Sequence, residues 1–334
     1  MSGTPLVSVV MPFWNAERFI QEAIESVFMQ SYAHWELVLI DDGSTDQSTA
    51  IAQRYAVRHP GRVRYLEHAG HQNRGQSASR NVGIGCTGGE YVAFLDADDV
   101  WLPLKLQEQV AILNANPEAG MVYGASQYWR SWTGDPEDFH RDYVPKLGVE
   151  ADSLVRPHRL LTLYLESRAL TPCPSNVLLR REVIEDVGGF EERFQGTRLM
   201  YEDQAFLAKV YLRTPVFVAN ACWDRYRLHP DSCVSVVTRA GQKYSAGLFY
   251  LSWLADYLSE QGVKDIEVWK ALRQKRWRYL HPTLYHLLGK LHFTARRIKQ
   301  FVKIIVHRIL PVSANRPLNE TADGTSQTTV LRKS

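Results

Sequence analysis

The stretch YVAFLDADDVW, residues Tyr91–Trp101, ends a mostly apolar run with Asp96, Asp98 and Asp99. The apolar run predicts a buried strand, and three carboxylates within four positions repel one another unless a positive group lies among them. One explanation is a D-x-D pair that holds Mg²⁺ or Mn²⁺, since such ions take carboxylate oxygens together with substrate phosphates. The other is an acidic turn that caps a helix starting near Pro103, a role that suits Asp99. Spacing alone leaves both explanations open.

The surrounding sequence alternates between strand and helix patterns. Strands are predicted at residues 6–15, 35–40 and 63–68, where short runs are rich in Val, Ile and Leu. Helical patterns separate them, and in residues 16–30 apolar side chains recur every three or four positions. This order predicts an α/β fold of Rossmann type, with a mostly parallel central sheet flanked by helices. Ligands of such sheets bind beyond the carboxyl ends of the strands, where Asp41 is also predicted to lie.

The composition is that of a globular protein with a substantial core. The chain has 334 residues, of which 45% are hydrophobic and 22% charged. Its four cysteines form no C-x-x-C pair, which argues against a zinc cluster and favours a reduced, cytoplasmic setting. We expect neither a signal peptide nor a membrane-spanning segment, because no apolar run approaches ~18 residues. No P-loop, G-x-G-x-x-G or G-x-S-x-G motif is present to suggest another kind of enzyme.

Charge divides the chain into parts. Residues 268–319 hold twelve Lys and Arg and no acidic residue, whereas the rest carries 27 basic against 36 acidic residues. We therefore predict a main domain at 1–240, a basic helical extension at 241–312 and a disordered tail at 313–334. Residues 295–310 place apolar side chains on one helical face and basic ones on the other. A helix with these two faces suits an anionic membrane surface on the inner side of the cell membrane. The alternative is a helix packed on the main domain.

Three further groups of residues could carry chemistry, and each has a simpler explanation. Asp41–Asp42 closes the second strand and could bind a base or ribose, or could only form a turn. Glu202 and Asp203 at a helix start favour the helix macrodipole, or Asp203 could act as a general base. His229, close to Arg227, could bind phosphate or a metal ion, or could be a solvated loop histidine.

Taken together and in order, these motifs closely resemble the family 2 glycosyltransferases, which have the GT-A fold. The resemblance covers about residues 6–236. It rests on VSVVMPFWNAERFIQEAIESVFMQSY, ELVLIDDGSTDQS, NRGQSASRNVGI, GEYVAFLDADDVWLPLKL, PSNVLLRREVIEDVGGF, YEDQAFLAKV and YRLHPDS. Two departures, GGFEE where the family often has GGFDE and SASRN where it often has SAARN, remove no catalytic group.

The resemblance implies an inverting, metal-dependent hexosyltransferase of cell-surface polysaccharide biosynthesis. It would move a sugar from a nucleotide-sugar donor, usually UDP-linked, to a hydroxyl of a glycan or lipid-linked acceptor. Asp203 would be the catalytic base, Asp98 and His229 would hold Mg²⁺ or Mn²⁺, and the candidate supporting residues are Asp99, Glu202 and Arg227. The residues implied in nucleotide-sugar binding are Pro12, Phe13, Asn15, Glu17, Asp41, Asp42, Arg80, Asp96 and Asp98.

Other classes of function are weighed against this one. A non-catalytic nucleotide-sugar-binding protein of the same fold would not need to keep Asp203. A nucleic-acid-binding module that uses the basic C-terminal region would not explain the acidic clusters, so no nucleic-acid partner is expected. Residues 125–170 show no clean period, and they could shape the substrate site or form a surface excursion.

Overall fold

The structure is a computed structural model that describes residues 4–285. Its described part contains a single nine-stranded sheet. The strands are β1 (Val7–Phe13), β2 (Trp35–Asp41), β3 (Val63–Glu67), β4 (Tyr91–Phe94), β5 (Val100–Trp101), β6 (Met121–Trp129), β7 (Ser153–Val155), β8 (Leu178–Arg180) and β9 (Val216–Arg227). Their order across the sheet is β3-β2-β1-β4-β8-β6-β9-β5, with β7 paired to β9.

The two halves of the sheet differ in strand direction. The predicted parallel arrangement holds for β1 to β4, in which β1 lies between β2 and β4 and runs parallel to both. On the other side, β8 runs antiparallel to β4 and to β6, whereas β6 and β9 are parallel. The α/β fold class is therefore confirmed, with a mixed second half. The segment 125–170, which had no clear pattern, contributes the end of β6, all of β7 and a short helix.

Ten helices in the described part cover both faces of the sheet. They are α1 (Ile20–Phe28), α2 (Ser48–Arg58), α3 (Gln76–Gly85), α4 (Lys105–Ala115), α5 (Arg159–Leu165), α6 (Arg181–Asp186), α7 (Glu202–Arg213), α8 (Cys233–Arg239), α9 (Lys243–Glu260) and α10 (Ile266–Leu280). One buried core includes side chains of α1, α2 and α4, and a second includes those of α3, α5, α6, α7, α9 and α10.

Successive side chains of β1 point alternately into the two cores. Val9 and Met11 pack in the core beneath α1, whereas Val10 packs in the other core, because successive strand residues point to opposite faces. On that second side α3 lies so close that a Cβ on Gly83 would come within 2.5 Å of Val10 Cγ1. The sheet is thus buried on both faces, and the carboxyl ends of its strands are left for a site.

The predicted basic extension begins inside the main body. Tyr250 and Leu254 of α9 and Leu272 of α10 are buried in the core that also holds α7. Residues up to Leu280 form one compact unit, so the boundary predicted after residue 240 falls within it. Most basic residues of α10 lie on its exposed face, but Lys275 is buried with the apolar face, where its Nζ donates to the carbonyl oxygen of Tyr164 at 3.2 Å.

The remaining C-terminal predictions, the basic helix at 295–310 and the tail at 313–334, lie outside the described residues. Within residues 4–285, no helix is both long enough and apolar enough to cross a bilayer.

Candidate active site

Hydrogen bonds tie the loop after β1 to the loop after β2. Asn15 Oδ1 accepts from the backbone N–H of Thr45 at 2.7 Å, and Glu17 Oε2 accepts from that of Gln47 at 3.0 Å. Asn15 itself has a left-handed φ of 48°, which asparagine tolerates better than most residues. Pro12–Phe13 is buried at the end of β1. These residues, all predicted to bind the nucleotide, therefore share one edge of the sheet.

The carboxylates of Asp41 and Asp42 are buried and hydrogen-bonded within the protein. Asp41 accepts from the N–H of Ser44 at 2.8 Å and from the hydroxyl of Thr49 at 2.5 Å. Asp42 accepts from the N–H of Arg74 at 2.7 Å, and burial raises the pKa of its carboxyl. Both side chains hold the loops around the site in place, and their contact with a base remains a prediction.

The three aspartates after β4 have different environments. The side chains of Asp96 and Asp98 are 17% and 33% exposed, whereas Asp99 is buried. Asp99 accepts from the hydroxyl of Ser175 at 2.6 Å and from the N–H of Arg227 at 3.0 Å, and burial raises its pKa well above the usual range. It does not cap α4, because β5 lies between them. Asp96 and Asp98 are therefore the two carboxylates of this loop that reach solvent.

A buried arginine lies among the carboxylates. Arg80 of α3 is fully buried; its Nη2 donates to Asp96 Oδ1 at 2.5 Å, and its Nη1 donates to Glu202 at the start of α7. Glu202 also accepts from the hydroxyl of Ser77 at 3.2 Å. Burial nevertheless raises the pKa of Asp96; the charge of Arg80, next in size, opposes this and the charge of Asp98 adds to it. One cation thus joins the D-x-D loop to the helix that carries the predicted base.

Asp203 follows Glu202 in the first turn of α7. Its side chain is half-buried and accepts from the N–H of Gln204 at 2.6 Å. Burial, and then the charge of Glu202, raise its pKa to about 8. A small cavity beside it is lined by Phe94, Pro174, Val177, Phe190, Phe206 and Leu207. A carboxylate that titrates slightly above neutral pH in an apolar surrounding is suited to accept a proton.

His229 lies directly against the D-x-D loop, as the metal prediction requires. Its Nε2 is 2.9 Å from Asp98 Oδ2, and its ring packs on Phe19 with centroids 4.9 Å apart. Its Nδ1 is buried without a hydrogen-bond partner in the described part of the chain. Arg227 holds the same loop, since its Nε donates to the carbonyl oxygen of Asp98 at 2.7 Å. A partly exposed carboxylate with an adjacent imidazole is a donor set that suits Mn²⁺ and, through its oxygens, Mg²⁺.

A buried polar cluster beneath this loop was not predicted. Ligand atoms of Asp99, Cys173 and Asp224 lie within 4.8 Å of one another. The carboxyl of Asp224 accepts from the side-chain amide of Asn176, and the Cys173 thiol donates to it at 3.3 Å. The motif PSNVLL contains Asn176, but Asp224 lies two residues before the motif YRLHPDS and outside all of the motifs that carry the family resemblance. Its partners come from other elements of the fold, so local sequence contained no signal for this cluster.

The comparison with protein families decides the classification. Residues 8–188 match the family described as "Glycosyl transferase family 2", which is more than half of the chain. The chain belongs to glycosyltransferase family 2. The resemblance drawn from the motifs is confirmed, and the protein is a glycosyltransferase with the GT-A fold.

Individual relatives show how far the likeness of this glycosyltransferase extends. It is 36% identical over 121 residues to "UDP-Glc:alpha-D-GlcNAc-diphosphoundecaprenol beta-1,3-glucosyltransferase WfgD" of Escherichia coli, an alignment that covers 36% of this chain and 45% of WfgD. Three of the curated relatives are aligned over only 40–45% of their own length.

Two solved structures share the fold. TarS 1–349 of S. aureus in complex with UDP-GlcNAc has a TM-score of 0.59 at 20% identity, covering 83% of this chain and 72% of TarS. The mannosyltransferase PcManGT from Pyrobaculum calidifontis, in complex with GDP-Man and Mn²⁺, has a TM-score of 0.55 at 20% identity, covering 82% and 70%.

Proposed function

We propose that this glycosyltransferase moves a hexose, with inversion, from a UDP-linked donor to a hydroxyl of a glycan or lipid-linked acceptor in cell-surface polysaccharide biosynthesis. The observation that carries the proposal is the bridge made by Arg80. It joins Asp96 of the D-x-D loop to Glu202, the residue next to Asp203. The loop that would bind the donor is therefore connected through one buried arginine to the helical turn that carries Asp203, whose pKa is raised to about 8.

The donor would lie along the carboxyl ends of β1, β2 and β4. The loops that hold Asn15 and Asp42 would flank the base, and Asp96 would face the ribose. Asp98 and His229 would hold Mg²⁺ or Mn²⁺, which would neutralise charge on the diphosphate leaving group. The complexes of TarS with UDP-GlcNAc and of PcManGT with GDP-Man and Mn²⁺ support a nucleotide-sugar donor and a metal ion.

Asp203 would supply the chemistry on the acceptor side. Its carboxylate would take the proton of the attacking hydroxyl, and the oxygen would then bond to the anomeric carbon as the bond to the diphosphate breaks. Attack from the face opposite the leaving group inverts that carbon, so no covalent intermediate with the enzyme is needed. The apolar residues around Asp203 keep water away from the base, which favours transfer over hydrolysis.

A donor panel tests the first half of the proposal. UDP-, GDP- and dTDP-sugars are added with and without Mn²⁺, and thermal shift and nucleotide release are recorded. We expect the largest stabilisation with a UDP-sugar and Mn²⁺ together, since a ligand that binds only the folded state raises its stability. Stabilisation that is the same without Mn²⁺ would contradict the metal role of Asp98.

Asp203→Asn tests the second half. It removes the base while keeping the shape, so donor binding should persist and transfer should fall by roughly 10²–10⁴-fold. Asp186→Asn is the matched control, because Asp186 is half-exposed and, within residues 4–285, forms an ion pair only with Arg213. Transfer by Asp203→Asn at the rate of the control would show that the base is assigned wrongly. Donor binding without transfer in the wild type would favour the alternative, a nucleotide-sugar-binding protein that is not an enzyme.

The acceptor and the location of the protein belong to the same proposal. The name of WfgD includes a diphosphoundecaprenol, and we infer a lipid-linked acceptor reached at the inner face of the cell membrane through the basic helix predicted at 295–310. Cell fractionation of the full chain and of a chain truncated after residue 290 tests this. The full chain should partition partly with membranes and the truncated chain should not, and a full chain found wholly in the soluble fraction would refute the inference.

A further inference from the structure

Three tyrosines form a row across adjacent backbone segments near the site. Tyr128 of β6 is paired in register with Tyr226 of β9. On its other side, Tyr128 exchanges two backbone hydrogen bonds with Tyr143, at 2.8 and 3.3 Å. Because residues directly opposite one another project from the same face, all three rings lie side by side. The Tyr128 ring is 5.0 Å from that of Tyr143, stacked at 17°, and 5.2 Å from that of Tyr226.

The opposite face of the same strands is filled by other side chains. Trp129 and Arg227, the next pair in register, contact each other there, with the guanidinium carbon 4.5 Å from the indole centroid. Arg227 also packs on Phe19 and Trp132. The alternation of strand side chains thus separates a closed aromatic and cationic face from the tyrosine face.

The tyrosine row lies between the D-x-D loop and Asp203. Tyr226 precedes Arg227, whose backbone N–H donates to Asp99. Ser126, two residues before Tyr128, contacts Cys173, which precedes Pro174, one of the residues that line the cavity beside Asp203. Burial raises the pKa of the Tyr226 hydroxyl, with further contributions led by the charges of Asp99 and Asp98. Burial raises the pKa of Tyr128 to about 12, and the neighbouring charges that add to this include Asp203. Both hydroxyls are therefore protonated at neutral pH.

The row retains both exposed surface and unused polar groups. Within residues 4–285, neither Tyr128 nor Tyr226 uses its hydroxyl in a hydrogen bond, and Tyr143 is 53% exposed. The Tyr128 ring is covered on one side by the stacked ring of Tyr143, and the Tyr226 ring is tilted by 54° to it. The row thus offers the exposed ring of Tyr143 together with the free hydroxyls of Tyr128 and Tyr226.

We propose that Tyr143, Tyr128 and Tyr226 form an acceptor subsite that stacks a pyranose ring of a glycan. This inference rests on the proposed function, because it takes Asp203 as the base that the stacked sugar faces. The apolar C–H face of a pyranose matches the flat rings, and its hydroxyl edge matches the free phenols. The donor base is placed elsewhere, at the ends of β1 and β2, with β4 and β8 between those strands and β6. A sugar on the tyrosine row would then lie on the side of the D-x-D loop away from the nucleotide.

Saturation-transfer NMR with simple sugars tests the subsite. Methyl β-glucoside, methyl β-galactoside and methyl N-acetyl-β-glucosaminide are titrated against the full chain in the presence of UDP and Mn²⁺. We expect at least one of them to receive saturation on its C–H face. Tyr143→Ala should weaken the binding of that sugar roughly five- to tenfold, the range expected for one aromatic stacking contact. Tyr143→Phe should bind it as the wild type does.

Phe139→Ala is the matched control, because Phe139 is a 61% exposed aromatic residue of the same segment outside the row. It should change neither sugar nor UDP binding, and unchanged melting temperatures show that the variants fold. The same sugar carried on a short polyprenyl diphosphate identifies the source: tighter binding that still depends on Tyr143 indicates a lipid-linked glycan, and equal binding indicates a free one.

Two results would overturn the subsite: no pyranoside bound by the wild type, or binding by Tyr143→Ala that equals the wild type. UDP-sugar binding is measured on the same samples. If UDP-sugars bind and pyranosides do not, only the subsite fails, whereas a protein that binds no nucleotide sugar contradicts the proposed function itself.

Discussion

Removal of the Arg80 charge is expected to destabilise the whole protein, not only its activity. The guanidinium has no exposed surface, and it contacts Glu202, whose side chain is 3% exposed, and Asp96, whose side chain is 17% exposed. Breaking a buried ion pair by removing one partner costs about 3–5 kcal/mol, because the other charge stays buried without compensation. Since Asp96 is partly hydrated, most of the loss arises at Glu202. The free energy of unfolding of Arg80→Met should therefore be about 4 kcal/mol lower than that of the wild type, which corresponds to a fall in melting temperature of roughly 8–16 °C.

A double-mutant cycle separates this explanation from simple loss of packing. Glu202→Gln removes the carboxylate that Arg80→Met leaves unpaired, so the double variant should be more stable than Arg80→Met alone. Contacting charges commonly show coupling of about 0.5–3 kcal/mol, whereas independent sites are additive. Thermal unfolding followed by circular dichroism gives the four melting temperatures. The same cycle at the exposed pair Arg213–Asp186 is the control and should show little coupling. Additive losses at Arg80 and Glu202 would refute the role of the buried charge.

Three further predictions follow from the geometry. Transferase kcat/KM should rise about tenfold from pH 7 to pH 9, with a midpoint near 8, because the ionised form of Asp203 in the free enzyme is the base; a flat profile would contradict this. His229→Ala should weaken Mn²⁺ binding at least tenfold in a calorimetric titration without changing metal-free UDP binding, and unchanged Mn²⁺ affinity would remove His229 from the metal site. Gly83→Ala should lower the free energy of unfolding in urea by about 1–3 kcal/mol, because its Cβ would clash with Val10. A Cβ at Gly85 would meet no atom within 4 Å, so Gly85→Ala should be as stable as the wild type. Equal stabilities of the two variants would contradict the close packing at Gly83.

The first half of the fold could be predicted because its signals are local. The helix α1 shows its buried face in the spacing of Ile20, Ala23, Ile24 and Val27, and each early strand is a compact β-branched run. The reversed direction of β8 has no such signal, because a three-residue strand does not indicate which neighbours it will pair with. Strand β9 was missed for a related reason: its polar residues, including Asp224, are buried against partners from other elements.

The candidate site divides in the same way. The positions of Asp96, Asp98 and Asp203 follow from motifs at element ends, which sequence reveals. The contact between Arg80 and Glu202 spans 122 residues of chain, and that between His229 and Asp98 spans 131. Contacts at such separations depend on the completed sheet, so spacing could not predict them. The family resemblance placed Asp98 and His229 together at a metal ion but did not pair Arg80 with Glu202.

The clustered aspartates are compensated by several means rather than by a single cation. Arg80 compensates Asp96, His229 approaches Asp98, and burial, followed by the charges of Asp98 and Asp96, favours the protonated form of Asp99. Arg80 must also serve Glu202, so one cation faces more negative charge than it can balance. Burial first, and then the neighbouring carboxylates, keep the pKa values of both Asp96 and Asp203 raised. Any positive charge that enters with a donor would relieve this repulsion and lower both pKa values. Donor binding would therefore favour the ionised form of Asp203. The base would then be ionised to a greater extent when the sugar that it helps to transfer is bound than when the site is empty.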